Sequence, residues 1–292
     1  MKTSVIITSF KEPKTIRRAI IAILPQLELN DELIVVAPDN ETLNAAFEIS
    51  KSDNRVKLLK DKGNGKSAAM NLATKKAKGE ILIWTDGDIY IKNNSVRELK
   101  YTFKNKKIGA VTGRPVSIDN RNNKLGYWGH VLADMAHEQR LKQSIKNKFL
   151  FCSGYLFAIR KKLMPRLPEQ LLSEDGYISY LVYKKGYRID YEPKAIAYIT
   201  YPKNFKDWIK QKKRSVGGYN QIARLLNVKI RSFGKESSNF WKLFKYVRNL
   251  KELLWLGELF IARIYLWAVI YWDINIKKKK RKELWERVES TK

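Results

Sequence analysis

Short apolar runs along the chain alternate with stretches in which apolar residues recur every three or four positions. Residues 2–9, 33–37, 56–59 and 80–85 have the length and β-branched content of buried strands. Between the first two runs, Ile16, Ala19, Ile20 and Ile23 keep helical spacing behind Pro13, a residue suited to a first helical turn. Residues 42–50 and 67–78 supply two further helices. Strand and helix in alternation predict an α/β fold, a Rossmann-like, mainly parallel sheet flanked by helices.

The second half reads less regularly. Strands are expected at 108–116, 149–160, 187–191 and 195–200, the second of them carrying Cys152, Ser153 and Gly154 at its start. Helices are expected at 127–145, 172–185 and 205–226, the last interrupted near Gly217 and Gly218. Further on, Trp241, Phe244, Val247 and Leu254 keep helical spacing with Lys242, Lys245, Arg248 and Lys251 opposite, the pattern of a basic amphipathic helix. Residues 253–276 are apolar almost throughout, and 277–282 form a continuous basic run. The pattern divides the chain into an α/β domain at 1–226 and a basic, aromatic helical tail at 227–292.

Three readings of the tail compete: a transmembrane span, a helix lying in the membrane plane, and a helix docked on the rest of the protein. Arg263 near the centre of the apolar stretch opposes a span. On a helical wheel Glu258, Arg263 and Asp273 share one sector, which an in-plane helix would keep in water. The in-plane reading is favoured.

Charge sharpens this picture. The net charge of +29 calls for an anionic partner: nucleic acid, an anionic membrane surface or phosphorylated ligands. The single cysteine, Cys152, excludes an intrachain disulfide and fits a reducing compartment. Residues 1–10 pass directly into the first strand, without the pattern of a signal peptide.

Candidate chemistry centres on Asp86-Gly87-Asp88, where the 80–85 run breaks. Ligands of open α/β sheets bind at the carboxyl ends of strands. Two carboxylates there suit a hard cation, Mg²⁺ or Mn²⁺, that leaves positions for phosphate oxygens. An acidic turn is the plainer alternative. The segment Gly63-Asn64-Gly65-Lys66-Ser67 is half of a phosphate-binding P-loop, because Lys60 stands where a glycine is required. Glu174-Asp175 opens a helix behind Ser173, either as a proton acceptor or as the acidic first turn that helices favour. Gln211-Lys212-Lys213-Arg214 reads as a solvated basic face or a diphosphate clamp. His130 and His137 lack partners at zinc-ligand spacing.

Taken in order, these blocks resemble the family 2 glycosyltransferases of the GT-A fold, over residues 4–218. The resemblance is carried by the first strand with Ser9 and Glu12, by Val35-Val36-Ala37-Pro38-Asp39, and by Gly65 to Ala73 with Ala77 to Glu80. Asp86-Gly87-Asp88, Ser153-Gly154 with Phe157 to Arg160, Ser173-Glu174-Asp175 and Gln211 to Arg214 complete it. It implies a donor set of Ser9, Glu12, Asp39, Lys66, Asp86, Gln211 and Arg214. It makes Asp88, with Asp86, the metal ligand and Asp175 the base, and puts Ser153, Gly154 and Glu174 on the acceptor side. Ser215 replaces the tryptophan that follows the last motif in processive synthases. The implied activity is inverting, metal-dependent transfer of a sugar, from a UDP-sugar for preference; the basic, aromatic tail points to a lipid-linked or membrane-proximal glycan as acceptor. With the single cysteine, the tail places the chain at the cytoplasmic face of the cell membrane. A nucleic-acid-binding protein and a sugar nucleotidyltransferase are the rival readings. No nucleic acid is expected as partner, since no recognisable binding motif accompanies the charge.

Overall fold

The computed structural model describes residues 1–169, 171–227, 240–273 and 288–291. The chain divides into two compact units, one of residues 1–116 and 137–199, the other of residues 117–136 and 200–291.

The first unit is built on a sheet ordered β3-β2-β1-β4-β7-β6-β8-β5. Its strands are β1 (Thr3–Thr8), β2 (Glu32–Ala37), β3 (Val56–Lys60), β4 (Ile81–Asp86), β5 (Tyr90–Ile91), β6 (Ile108–Ser117), β7 (Leu156–Arg160) and β8 (Arg188–Ile199). The first four pair in parallel, with Ile6 opposite Ile34 on one side and Trp84 on the other. Their runs of fully buried residues, such as Val5 to Ile7 and Leu33 to Ala37, follow from helices covering both faces. β7 is antiparallel to β4 and β6, and β5 to β8. The sheet is therefore mixed: parallel, as expected, over β1 to β4, with antiparallel pairs beyond. Parallel pairing depends on crossover helices, and the regular alternation that supplies them ends at β4.

Helix α1 (Ile16–Ile23) buries all four residues whose spacing foretold it. Helix α2 (Asn40–Ser52) is capped by the Asp39 carboxylate, which accepts the Thr42 N–H at 2.9 Å. Helix α3 (Lys66–Lys76) begins at Gly65, whose φ of +96° favours glycine. Helix α4 (Ser95–Thr102) was not expected; it is held by buried Val96 and Leu99. Helix α5 (Lys124–Ile145) contributes to both units, and α6 (Glu174–Lys184) closes the core of the first around Trp84, Met70, Phe157 and Ile178.

Three expected boundaries shift. Only Leu156–Arg160 of the 149–160 run is strand, so Cys152 to Gly154 lie in the loop before it. The two strands foreseen at 187–200 are one, because Ile189, Tyr191, Ala195, Ala197 and Ile199 keep the same buried parity across Pro193. Helix α7 (Phe205–Leu226) runs unbroken through Gly217 and Gly218, both buried.

In the second unit, α7 packs with α8 (Leu250–Tyr271) around Trp128, Trp208, Leu256, Leu259 and Leu266. The expected amphipathic helix across residues 241–254 is instead a 3-10 segment, Phe240–Tyr246, followed by α8, which Asn249 caps. Arg121 secures the start of α8, donating to Glu252 at 2.8 and 3.2 Å and to the Tyr246 carbonyl at 2.7 Å. Part of the charged sector expected to face water is instead engaged by protein. Asp273 is buried against Lys213, and Glu258 pairs with Lys124 at 2.6 Å. Asp273 continues the face on which Leu256, Leu259, Ala262, Leu266 and Ile270 are buried, while Glu258 stays half-exposed at its margin. Partner charges offset the desolvation there, which leaves the opposite face of the helix apolar. Helix α8 is long and apolar enough to cross a membrane by length and composition. The end of the apolar stretch, 274–276, and the basic run 277–282 lie outside the described residues, as does the side chain of Trp241.

Candidate active site

β4 delivers Asp86 to the carboxyl edge of the sheet, and Gly87 turns the chain there. The Gly87 N–H donates to the Thr8 carbonyl at 3.1 Å. A Cβ on Gly87 would stand 2.2 Å from Ser9 Oγ and 2.5 Å from Glu12 Oε2, so only glycine lets the turn press this close. Ser9 and Glu12 are both buried and joined by a 2.6 Å hydrogen bond from the Ser9 hydroxyl. Asp39 reaches back from the end of β2 to accept the Lys11 N–H at 2.8 Å. Burial pushes the Asp39 carboxyl up, but hydrogen bonds from Thr42 and Lys11 outweigh it and hold it below the usual range.

Asp86 is gripped from two sides. Its Oδ1 accepts from Thr8 Oγ1 at 2.9 Å and lies 2.5 Å from the Lys66 ammonium, which the first turn of α3 projects toward it. Burial alone would lower the Lys66 pKa; Asp86, Glu174 and Asp175 around it raise it instead. Glu174 Oε1 accepts from Ser67 Oγ at 3.1 Å, and burial pushes that carboxyl up against the pull of Lys66. Asp175 accepts from Ser173 Oγ at 2.7 Å and the Gly176 N–H at 2.9 Å, both on Oδ1. Its Oδ2 faces Gly154, where a Cβ would come within 3.3 Å. Ser153 is fixed by its N–H donating to buried Thr112 Oγ1 at 2.9 Å. Cys152 beside it is enclosed, and burial pushes its thiol up to about 12, which keeps it unreactive.

One cleft gathers Thr8, Lys66, Met70, Trp84, Thr85, Asp86, Gly154, Phe157, Glu174 and Asp175. Lys66, Asp86, Gly154, Glu174 and Asp175 were expected together from the sequence. Thr8, Met70, Trp84, Thr85 and Phe157 were not among the expected site residues, although Trp84 precedes Asp86 by two residues and so leaves the same face of its strand. Ser9 and Glu12 adjoin the turn after Asp86, and Asp88 lies half-buried on it. Gln211 and Arg214 stand on α7, in the second unit. His130 and His137 are occupied by the Asp119 carbonyl at 2.8 Å and the Tyr191 hydroxyl at 2.7 Å. Among the described residues no group of three or more His, Cys, Asp or Glu forms a cage for an ion. The hard oxygens of the Asp86 and Asp88 pair fit a divalent ion whose remaining positions a ligand's oxygens fill.

Residues 4–167 match the family model described as Glycosyl transferase family 2. The chain belongs to glycosyl transferase family 2. Within the family it is similar to a Staphylococcus epidermidis poly-beta-1,6-N-acetyl-D-glucosamine synthase, at 25% identity over 90% of this chain and 64% of that one. It is also similar to an N-acetylglucosaminyltransferase of Azorhizobium caulinodans, at 26% identity over 78% of this chain and 62% of that protein. This family 2 chain thus spans less than two thirds of the length of these relatives. Its fold, the GT-A fold, is shared with a mannosyltransferase from Pyrobaculum calidifontis solved with GDP-Man and Mn²⁺. That likeness has a TM-score of 0.65 at 17% identity and covers 95% of this chain and 88% of the other.

Proposed function

We propose that this chain transfers a sugar from a nucleotide sugar, with uridine diphosphate leaving, to a hydroxyl of a lipid-linked or membrane-proximal glycan. The convergence of Lys66, Asp86, Glu174 and Asp175 on one cleft, from three elements far apart in sequence, carries this reading. Ser9, Glu12 and Asp39 line the approach for the nucleoside, and Lys66 meets the diphosphate. Asp88 and Asp86 would hold Mg²⁺ or Mn²⁺, which when bound neutralises charge on the departing diphosphate. Ser153, Gly154 and Glu174 shape the acceptor side. Asp175, oriented through Oδ1 by Ser173 and Gly176, has Oδ2 toward Gly154. It takes the proton of the acceptor hydroxyl as that oxygen attacks the anomeric carbon, and a single displacement inverts the centre.

The test is turnover of a panel of nucleotide sugars with Mn²⁺ by the full chain and two variants. Asp88→Ala and Asp175→Asn should each cut transfer by about 100-fold or more, while Asp175→Asn keeps donor affinity. Unchanged turnover in Asp175→Asn would remove it as the base; failure of every nucleotide sugar to bind would remove the reading.

We infer also that the second unit rests on an anionic membrane surface, at the cytoplasmic side. The support is the outward face of α8, where Leu254, Ile261, Ile264, Tyr265 and Trp272 are exposed in helical register. Exposed Lys242, Lys245, Arg248 and Lys251 adjoin it in sequence, as lipid phosphates require.

A further inference from the structure

Asp61 is a carboxylate that the fold covers without giving it a cation. It is 9% exposed and follows directly on β3, its N–H donating to the Ala37 carbonyl at 3.2 Å. Its Oδ1 accepts the Gly63 N–H at 2.6 Å. Its Oδ2 accepts nothing from the described residues, yet is not sealed from solvent. In a chain of net charge +29, no described Lys or Arg pairs with it. Burial pushes this carboxyl up, the Gly63 N–H pulls it back, and the nearby Asp39 charge adds to the rise. A covered carboxylate oxygen of this kind asks for a donor. Register across the sheet says where that donor lies. Asp86 pairs with Thr8, Thr8 with Val36, and the next residue, Ala37, with Lys60. Asp61 thus stands at the carboxyl edge three strands from Asp86, about 14 Å away at about 4.8 Å per strand. An extended nucleoside diphosphate has that reach, from its phosphates to the far edge of its base. Between the two ends lie Pro38 and Asp39; a Cβ on Gly63 would meet Pro38 at 3.6 Å. The loop from Asp61 then turns through Gly65 and delivers Lys66 to the cleft.

We infer that Asp61 reads the base of the donor nucleotide, its Oδ2 accepting a ring N–H. This rests on the nucleotide-sugar reading of the same cleft and narrows it. Uracil and guanine carry a ring N–H on the edge away from the ribose. Cytosine and adenine present a bare ring nitrogen there, and an ionised carboxylate only accepts, so the pairing would set acceptor against acceptor. Asp39 is less suited to the task, because its two oxygens are already held by the Thr42 and Lys11 N–H groups.

The experiment is calorimetric titration of the 292-residue chain with UDP, GDP and CDP in the presence of Mn²⁺, for wild type and Asp61→Asn. Asparagine keeps an oxygen for the Gly63 N–H and puts an amide N–H in place of Oδ2. The wild type should bind UDP or GDP about tenfold or more tightly than CDP, the effect of one hydrogen bond to a charged group. Asp61→Asn should weaken the favoured nucleotide about tenfold and strengthen CDP, so that the gap closes. Preference for UDP upholds the uridine donor; preference for GDP moves the donor to guanosine and upholds Asp61 as its reader. The wild-type comparison decides the matter even if Asp61→Asn does not fold: CDP bound as tightly as UDP and GDP overturns the inference. An equal loss for all three nucleotides in the variant also overturns it, leaving Asp61 only to hold its loop. Failure of every nucleotide to bind the wild type overturns the nucleotide reading and this inference with it; binding without discrimination overturns the inference alone.

Discussion

Gly87 has no room for a methyl group. Ser9 Oγ and Glu12 Oε2 stand where a Cβ would go, and both are tied together and buried. Gly87→Ala should therefore push the Asp86–Asp88 turn off Ser9 and Glu12. We expect a loss in nucleotide affinity of about tenfold or more with a small change in melting temperature, read by titration beside a thermal melt. At this scale the sequence was informative where chemistry is carried by charged residues at fixed spacing, as in Asp86-Gly87-Asp88 and Ser173-Glu174-Asp175. It was silent on Trp84, because an aromatic in an apolar strand looks like core. Only packing reveals that its N–H has been left without a partner.

Elements were legible wherever a strong period was present. The four parallel strands and α1 lie where their apolar runs put them. Helix α4 escaped because only Val96, Leu99 and Phe103 mark its period within a polar stretch, although their spacing of three and four is helical. Helix α8 shows the limit of a helical wheel. Its charges were taken to mark the wet side; Glu258 is indeed half-exposed, but Asp273 is buried beside Lys213 on the protein side. Glu252 anchors the same helix. Hydrogen bonds from Arg121 hold its carboxyl below the ordinary range, against burial, with Arg248 adding to the effect. A carboxyl depressed in the folded state stabilises above its unfolded pKa of about 4.3, and that stability is lost as pH falls through the folded value. Glu252→Gln should accordingly cost about 2 kcal/mol at pH near 7 and progressively less below about pH 4, measured by denaturant unfolding at each pH.

For the whole molecule, charge and apolar surface point to one environment. A net charge of +29 alone would suit any polyanion, but the exposed apolar row of α8 adds a requirement that nucleic acid does not meet. The 292-residue chain should float with vesicles containing anionic lipid, and more weakly with neutral ones, since each adjacent Lys or Arg contributes about 1 kcal/mol. Raising NaCl to about 0.5 M should weaken the charge contribution, while Leu254→Asp with Ile261→Asp should abolish flotation at any salt. Protein that stays at the bottom of the gradient with anionic vesicles at low salt removes the membrane reading.

The grip of Lys66 on Asp86, with Glu174 and Asp175 close by, has a bearing on how the cleft waits for its substrate. Three mutually repelling acids share a small space, and an internal ammonium settles them before anything arrives. On the proposed reading, an incoming diphosphate would not have to herd the carboxylates together; it would inherit a cation already seated, and binding would become a change of partners within a finished scaffold.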